Sequence, residues 1–196
     1  MGDETGTKAK MRAGKQAKKS NKRLDKIMIV AAIVLVIGGL LFAFAPESLW
    51  GGGSVSSEAS RKAAPAISMP DLSGQSWNLA DHRGKVVLVN FWATWCGPCR
   101  RETPDLVRLA NELRPKGLEV VGISLDQTKD VIPPFVASYN IPYPILVAPP
   151  GSALTSQIRS IPTTLLIDRQ GRVAKQYVGA VAGSVFKQDI EALLAE

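Results

Sequence analysis

Both cysteines of the chain lie in one short motif, Cys96-Gly97-Pro98-Cys99. An apolar run that predicts a buried strand precedes the motif, and a segment with helical spacing of apolar residues follows it. A Cys-x-x-Cys pair in this strand-to-helix context indicates a redox-active dithiol. Because unpaired N–H groups at a helix start stabilise a thiolate, we predict that Cys96 is the exposed nucleophile. Cys99, one turn into the helix, would resolve the mixed disulfide.

Residues beside the motif favour the same chemistry over a structural role. Arg100 and Arg101 add positive charge next to the sulfurs, and Pro98 fits a first helical turn, where a missing N–H costs nothing. A disulfide that closes so small a ring would stabilise the fold little. A zinc site would need two further ligands, and the single histidine, His82, lies in a polar turn. We therefore predict neither a metal nor another cofactor.

The positive charge of the chain is concentrated at its start. The 196 residues carry 24 Lys+Arg and 17 Asp+Glu, a net charge of +7. Residues 1–26 hold nine Lys/Arg and three acids, so the other 170 residues carry a net charge of only +1. This distribution excludes a globally basic nucleic-acid-binding domain. Two cysteines also exclude a multi-disulfide scaffold and a four-thiolate zinc module.

An uncharged apolar segment, residues 27–45, follows the basic tail. As a helix its nineteen residues would span roughly 28 Å, close to the hydrocarbon core of a bilayer. We predict an uncleaved transmembrane anchor. A cleaved signal peptide stays open because residues 43–45 resemble a cleavage site, although Pro46 would fit a peptidase badly. The charge asymmetry predicts a cytoplasmic tail at residues 1–26 and an external location for everything after the anchor.

Composition divides the remainder into a linker and one folded domain. Residues 46–66 are rich in Gly, Ser and Ala and predict a flexible linker. Residues 67–196 are enough for one ordinary core, and their strands and helices indicate a mixed-sheet α/β domain. The predicted strands are residues 67–72 and 75–79 (a hairpin), 85–92, 118–125, 143–147, 163–167 and 172–177. The predicted helices are residues 98–113, 130–139 and 184–195.

The stretch VNFWATWCGPCR, residues 89–100, resembles the active-site segment of the thioredoxin superfamily. Residues 79–85, 101–104 and 161–168 resemble its membrane-anchored extracytoplasmic branch, the TlpA/ResA/CcmG-like thiol:disulfide interchange proteins. The resemblance covers nearly all of residues 67–196. It implies a thioredoxin-like fold, in which helices flank a central mixed sheet with an extra N-terminal hairpin, preceded by one transmembrane helix.

The same resemblance implies a substrate-binding surface around the sulfurs. Pro162 would be the cis-proline that faces the cysteine pair, and the backbone of Ile161 would pair with the substrate strand. Trp95 and Pro98 would form the apolar surface of the site. Trp92 would belong either to this surface or to the core.

The resemblance also implies a proton-handling residue. Cytoplasmic thioredoxins carry a buried Asp at the position of Asn90, and an asparagine cannot exchange a proton. Glu102 matches a glutamate of the extracytoplasmic branch and is our candidate for proton handling near the pair. A solvated helix acid is the alternative role for this residue.

These features together imply a reductant of exported proteins. Gly97-Pro98 is the sequence found between the cysteines of thioredoxin, whose potential near −270 mV is far below that of oxidants near −120 mV. The expected clients are exported proteins with cysteine pairs, such as apocytochromes c and copper-site proteins, and a transmembrane donor would supply electrons. We expect a single-pass protein of the bacterial plasma (inner) membrane, with its redox domain in the periplasm or at the outer face.

Two other functions stay open at this point. A thiol peroxidase of the redoxin type would share the neighbourhood of the motif, although such peroxidases resemble Thr-x-x-Cys, whereas Thr94 lies two residues before Cys96. A Cu(I)-binding chaperone could use the two thiolates as soft ligands. The four methionines of the chain lie far from the motif in sequence and give that alternative no support.

Overall fold

The computed structural model describes residue 28, residues 55–149 and residues 151–196. The predicted cytoplasmic tail and, apart from Met28, the predicted transmembrane anchor lie outside the described residues. Among the residues that are described, no helix is long and apolar enough to cross a membrane. The elements below all belong to one compact unit, Gly53–Glu196.

A six-stranded mixed sheet forms the centre of this unit. The strands are β1 (Lys62–Ala63), β2 (Ser68–Pro70), β3 (Ser76–Asn78), β4 (Val86–Trp92), β5 (Leu118–Ser124), β6 (Ile145–Val147), β7 (Thr163–Ile167) and β8 (Arg172–Val178). The strand order is β1-β8-β7-β4-β5-β6, and β2 and β3 form a separate antiparallel pair. β4, β5 and β6 are parallel to one another, whereas β7, β8 and β1 each pair antiparallel.

Within residues 55–149 and 151–196, three α-helices complete this unit: α1 (Gly97–Leu113), α2 (Ile132–Tyr139) and α3 (Gly183–Leu194). Each strand and helix predicted within residues 67–196 has a counterpart whose ends differ by at most two residues. The predicted mixed-sheet α/β fold with an N-terminal hairpin is therefore confirmed.

The two faces of the sheet are covered differently. The helices cover one face, where Leu109 of α1, Phe135 of α2 and Phe186 of α3 share an apolar cluster with both cysteines. On the other face, the hairpin residue Trp77 and its neighbour Leu79 pack on apolar side chains from the central strands. β4 lies between these layers, so all seven of its residues are buried. Its continuous apolar pattern follows from burial on both sides.

Residues 55–66 belong to the folded domain, and this corrects the predicted flexible linker. β1 pairs with the edge of β8, and the backbone N–H of Ser56 donates to the carbonyl oxygen of Ala174 at 2.9 Å. The prediction for residues 46–66 is thus wrong from residue 55 onward, and its first part lies outside the described residues.

Arg61 explains why residues 55–66 are part of the folded domain and not a flexible linker. Its guanidinium donates to both carboxylate oxygens of Glu196, at 2.6 and 2.7 Å, and to Asp168 at 3.3 Å. The side chain of Arg61 is only 2% exposed. These partners lie more than 100 residues away along the chain, so local composition carries no sign of them.

Candidate active site at the cysteine pair

The loop that carries the cysteines is held by one buried carboxylate, Asp126. The backbone N–H of Thr94 donates to Oδ2 of Asp126 at 3.0 Å, and the Thr94 hydroxyl donates to Oδ1 at 2.7 Å. The hydroxyl of Ser124, at the end of β5, donates to Oδ2 at 2.9 Å. The carboxylate therefore joins the end of β5 to the segment that follows β4. Sequence reasoning missed this role, and the only signal for it was an acid directly after a buried strand.

Cys96 is the N-cap residue of α1. Its Sγ accepts a hydrogen bond from the backbone N–H of Cys99 at 3.2 Å, and the two sulfurs form a disulfide. Pro98 lies in the first turn of the helix, as its missing N–H predicts. In the reduced protein the same N–H and the helix dipole would stabilise a thiolate on Cys96.

The sulfurs themselves are more enclosed than the sequence predicts. Cys96 is 5% exposed and Cys99 2% exposed, so the prediction of an exposed Cys96 is wrong for the disulfide form. Cys96 is bonded to Cys99, which belongs to the buried face of α1, and both cysteines are part of the apolar cluster under the helices. By contrast, Trp95 is 70% exposed and Pro98 is also exposed.

The peptide bond between Ile161 and Pro162 is cis, which confirms the expectation from the resemblance. Thr163 pairs with Phe91 of β4, so this bond lies at the edge of the sheet from which the Cys96 loop leaves. The side chain of Ile161 packs against the apolar cluster that contains the cysteines. In the part of the chain that the structure describes, neither the N–H nor the carbonyl oxygen of Ile161 has a hydrogen-bond partner.

Glu102 is buried against the helix-covered face of the sheet, with 3% of its surface exposed. Its Oε1 accepts from the backbone N–H of Val181 at 3.0 Å, and its Oε2 accepts from Nδ2 of Asn90 at 3.1 Å. Burial raises the pKa of Glu102 to about 7, and hydrogen bonds from two neutral donors oppose this only in part. The alternative role of Glu102 as a solvated helix acid is therefore wrong.

Asn90 connects Glu102 to the neighbouring strand. Its Nδ2 also donates to the hydroxyl of Thr164 at 2.9 Å, and Thr164 pairs with Asn90 across β4 and β7. The side chain that occupies the usual position of an aspartate in thioredoxins thus orients the carboxylate of Glu102 instead of carrying a charge itself.

Tyr143 also belongs to the surroundings of Glu102. It is buried in the same apolar cluster as the cysteines, and burial together with the negative charge of Glu102 raises its pKa above the ordinary value. Sequence reasoning did not single out this residue, because a tyrosine in an apolar segment has no pattern of its own.

The start of α3 is fixed to α1 one turn beyond Glu102. The backbone N–H of Gly183 donates to Oδ2 of Asp105 at 3.0 Å. A Cβ atom at Gly183 would lie 2.5 Å from Cγ of Asp105, so this contact requires glycine. The contact holds the loop that contains Val181 against Glu102.

The described residues contain no group of three or more His, Cys, Asp or Glu side chains that could hold a metal ion. His82 lies with its ring stacked on Trp77, at 4.6 Å between ring centroids. Trp92 is 3% exposed and packs on Phe135, so it belongs to the core and not to the exposed surface of the site.

Comparisons with known proteins agree with this geometry. A family model described as the AhpC/TSA family matches residues 61–181. The thiol-disulfide oxidoreductase ResA of Bacillus thuringiensis is 30% identical over 179 residues, which cover 90% of this chain and 96% of that protein.

Two solved structures extend the comparison to the fold. A secreted thiol-disulfide isomerase from Corynebacterium glutamicum gives a TM-score of 0.68 at 32% identity, covering 72% of this chain and 91% of that one. A thiol:disulfide interchange protein of the thioredoxin family from Chlorobium tepidum gives 0.64 at 30% identity, covering 70% of this chain and 99% of that one. The matched family model, the similarity to thiol-disulfide oxidoreductases and the Cys96–Cys99 disulfide agree. The chain belongs to the AhpC/TSA family of thioredoxin-like proteins and is a thiol-disulfide oxidoreductase.

Proposed function

We propose that this oxidoreductase is anchored in a bacterial plasma membrane and reduces disulfides of exported proteins on its outer side. The observation that carries the exchange chemistry is the Cys96–Cys99 disulfide at the N-terminus of α1, at the same sheet edge as the cis peptide bond before Pro162. The apolar segment at residues 27–45 and the basic tail before it support the anchor and its orientation.

The proposed reaction starts from the dithiol form. The thiolate of Cys96 attacks one sulfur of a client disulfide, a new S–S bond forms, and the displaced client sulfur leaves as a thiolate that takes up a proton. Cys99 then gives up its proton and attacks Sγ of Cys96, which releases the second client sulfur as a thiol. Two electrons pass to the client, and the pair ends in the disulfide form seen in this structure.

Glu102 is the proposed acceptor of the proton that Cys99 loses. It follows Cys99 by three residues, so both side chains lie on the same buried face of α1. Its pKa of about 7 lets it gain and lose a proton at neutral pH. Asn90 holds its carboxylate in place and cannot itself take a proton.

The client is proposed to bind as an extended strand beside Ile161. The free backbone N–H and carbonyl oxygen of this residue, among the described residues, are available to a strand of another protein. The exposed rings of Trp95 and Pro98 would pack on the client next to its sulfurs.

The residues between the cysteines support this direction of exchange. Gly97-Pro98 favours a thioredoxin-like potential, near −270 mV, and a protein with this potential can reduce labile disulfides of higher potential, such as those made by oxidants of about −120 mV. In an oxidising compartment the dithiol form must be restored, so we propose a transmembrane electron donor. Apocytochromes c and copper-site proteins are the proposed clients, because their cysteines must be reduced before haem or copper binds.

Trapping of mixed disulfides tests this proposal directly. In the full-length Cys99→Ser chain the resolving sulfur is absent, so clients should stay attached to Cys96. We expect dithiothreitol to release exported proteins that carry cysteine pairs from this variant. The Cys96→Ser/Cys99→Ser chain should trap none. Absence of mixed disulfides, or attachment of cytoplasmic proteins alone, would contradict the proposal.

The same Cys99→Ser chain separates exchange from peroxidase activity. A peroxidase needs only its attacking cysteine to consume one equivalent of peroxide. We expect the variant to react with peroxide no faster than an ordinary thiol. Rapid peroxide consumption without disulfide exchange would favour the peroxidase alternative.

A further inference from the structure

Exposed arginines lie on both segments that form the site, the helix that carries Cys99 and the segment before the cis peptide bond. Arg100 and Arg101 follow Cys99 directly on α1, and Arg159 lies two residues before Ile161. All three arginines are exposed. Within residues 55–149 and 151–196, none of them forms a salt bridge. We name these three residues the arginine rim.

Cations elsewhere in the domain are mostly engaged. Lys85 binds Glu119 at 3.1 Å, and Arg108 binds Asp105 at 2.8 Å. Two further arginines that form no salt bridge to a described residue donate hydrogen bonds to backbone carbonyl oxygens instead. Arg114 donates to the carbonyl oxygen of Pro142 at 2.6 Å, and Arg169 donates to that of Leu194 at 2.8 Å.

The rim is held less tightly. Arg100 makes one long hydrogen bond, 3.4 Å to the carbonyl oxygen of Thr94, and lies over the ring of Phe135 at 5.8 Å. The guanidinium groups of Arg101 and Arg159 donate no hydrogen bond to another described residue. The rim therefore keeps most of its hydrogen-bonding capacity for another molecule.

Acids at this edge of the sheet do not neutralise the rim at the surface. Asp126 is 6% exposed and its oxygens are occupied by Thr94 and Ser124. Glu102 is 3% exposed and accepts from Val181 and Asn90. The exposed Asp130 has Lys129 beside it in sequence, so this pair adds no net charge.

An exposed aromatic side chain directly follows Thr94, whose carbonyl oxygen accepts from Arg100. Trp95 is 70% exposed and directly precedes Cys96. Trp and Arg are the residues most enriched among those that dominate protein interfaces. The arrangement suits a protein segment that places an apolar contact on Trp95 and acidic groups on the arginines.

We propose that the arginine rim binds acidic side chains that flank the client's cysteines, so that the chain selects disulfides within acidic segments. This inference rests on the proposed function, because it names the kind of client that the same site prefers. Opposite charge on the two partners would accelerate their encounter, by about 10-fold or more at low salt.

Two model peptides test the inference on the full-length chain, reduced and purified in detergent. Each peptide carries one Cys-x-x-Cys disulfide, flanked by four Glu in one and four Gln in the other. We expect the Glu peptide to be reduced about 10-fold faster at low ionic strength. At about 1 M salt, where screening acts within roughly 3 Å, the ratio of the two rates should approach one.

A pair of matched double variants locates the effect. Arg101→Glu/Arg159→Glu should lower the ratio of Glu to Gln rates to one or below. Lys62→Glu/Lys116→Glu, which reverses two exposed cations away from the cysteines in sequence, should leave the ratio unchanged. Because each ratio compares two substrates of one protein, a loss of folded protein or of thiolate reactivity does not alter it.

The outcomes distinguish this inference from the proposed function. Equal rates for the two peptides, or an equal fall of the ratio in both double variants, would overturn the inference and leave the exchange activity standing. If the chain reduces neither peptide, the proposed function fails and the inference fails with it.

Discussion

Glu102 and Asp168 are both almost completely buried, yet their pKa values shift in opposite directions. Glu102 is 3% exposed beside the cysteine pair, and Asp168 is 2% exposed after β7, at the opposite edge of the sheet. Burial raises the pKa of Glu102 to about 7. Burial acts in the same direction on Asp168, but hydrogen bonds from Arg172 and Arg61 outweigh it and lower its pKa.

The partners explain the difference. Glu102 accepts from an amide and a backbone N–H, which stabilise its charge only in part. Asp168 accepts from two guanidinium groups, at 2.8 Å from Arg172 and 3.3 Å from Arg61. A buried carboxylate that has no cation beside it is protonated at a higher pH than usual. A buried carboxylate between two cations stays ionised at neutral pH. The cysteine end of the domain can therefore exchange protons at neutral pH, and the far end provides a fixed ionic contact.

These shifts give opposite dependences of stability on pH. The folded-state pKa of Asp168 is lowered, so its contribution is present above the unfolded pKa, near 3.9, and is lost as the pH falls through the folded value. The folded-state pKa of Glu102 is raised. Stability is therefore highest, as far as it depends on Glu102, below the unfolded value of 4.5, and it is lost as the pH rises through about 7 and the buried carboxylate ionises.

The largest effect is expected from Asp168→Asn. This substitution keeps the shape of the side chain but removes the buried charge that Arg61 and Arg172 share. Because Arg61 keeps Glu196 and Arg172 keeps Glu58, we expect a loss of about 3 kcal/mol, the lower end of the cost of breaking a buried pair. Urea unfolding at pH 7 measures the loss. Asp81→Asn, at an exposed acid that forms no salt bridge to a described residue, should change the stability little. A loss below about 1 kcal/mol for Asp168→Asn would contradict the fixed ionic contact.

The residues around the cysteine pair could be predicted from the sequence better than the residues around Asp168. Cys96, Cys99 and Pro162 belong to short sequence motifs that can be recognised without knowledge of the fold. Even the burial of Glu102 had a sign in the sequence, because Glu102 precedes Leu106 by four residues on the apolar face of α1.

No sequence signal of this kind marked the ionic contact around Asp168. Arg61 stands in a stretch rich in Ser and Ala, and its partner Asp168 follows 107 residues later. Only the closed fold brings them together, so composition predicted a linker where the structure has a buried arginine. Asp126 was missed for the same reason, since its role depends on the adjacency of β4 and β5.

A smaller effect, of opposite sign, is expected from Glu102→Gln. At pH 8 the ionised carboxylate of Glu102 destabilises the fold, so its removal should raise the free energy of unfolding by on the order of 2 kcal/mol. At pH 4 the change should be close to zero. Urea unfolding at both pH values measures it, with Glu112→Gln on the exposed face of α1 as the control.

The same variant sharpens the proposed role in exchange. Without Glu102 as proton acceptor, the release of the client from Cys96 should slow by about 100-fold, and the inflection of the rate near pH 7 should disappear. A Glu102→Gln chain that keeps this inflection would show that another group titrates.

Asp126→Asn is expected to have an intermediate to small effect. The carboxylate accepts from Thr94 and Ser124 with no cation among the described residues, and the asparagine would retain one acceptor oxygen. We expect a loss of about 1.5 kcal/mol in urea unfolding. The rate of client reduction should also fall, because the loop that carries Cys96 is held less firmly. An unchanged rate would show that this loop needs no carboxylate.

The smallest effect is expected from Lys85→Gln. Lys85 binds Glu119 at 3.1 Å, but its side chain is 50% exposed. Removing such a pair should change the free energy of unfolding by at most about 0.5 kcal/mol. A loss as large as that of Asp168→Asn would show that charge pairing, and not its burial, decides the contribution.

The reduction potential of the Cys96/Cys99 pair decides most directly whether this chain reduces exported proteins. It is measured on the full-length chain at pH 7 by equilibration with glutathione buffers, with the thiols counted after acid quenching. We expect a value below about −220 mV. A value of about −120 mV would make the pair an oxidant of its clients, the opposite of the proposed direction.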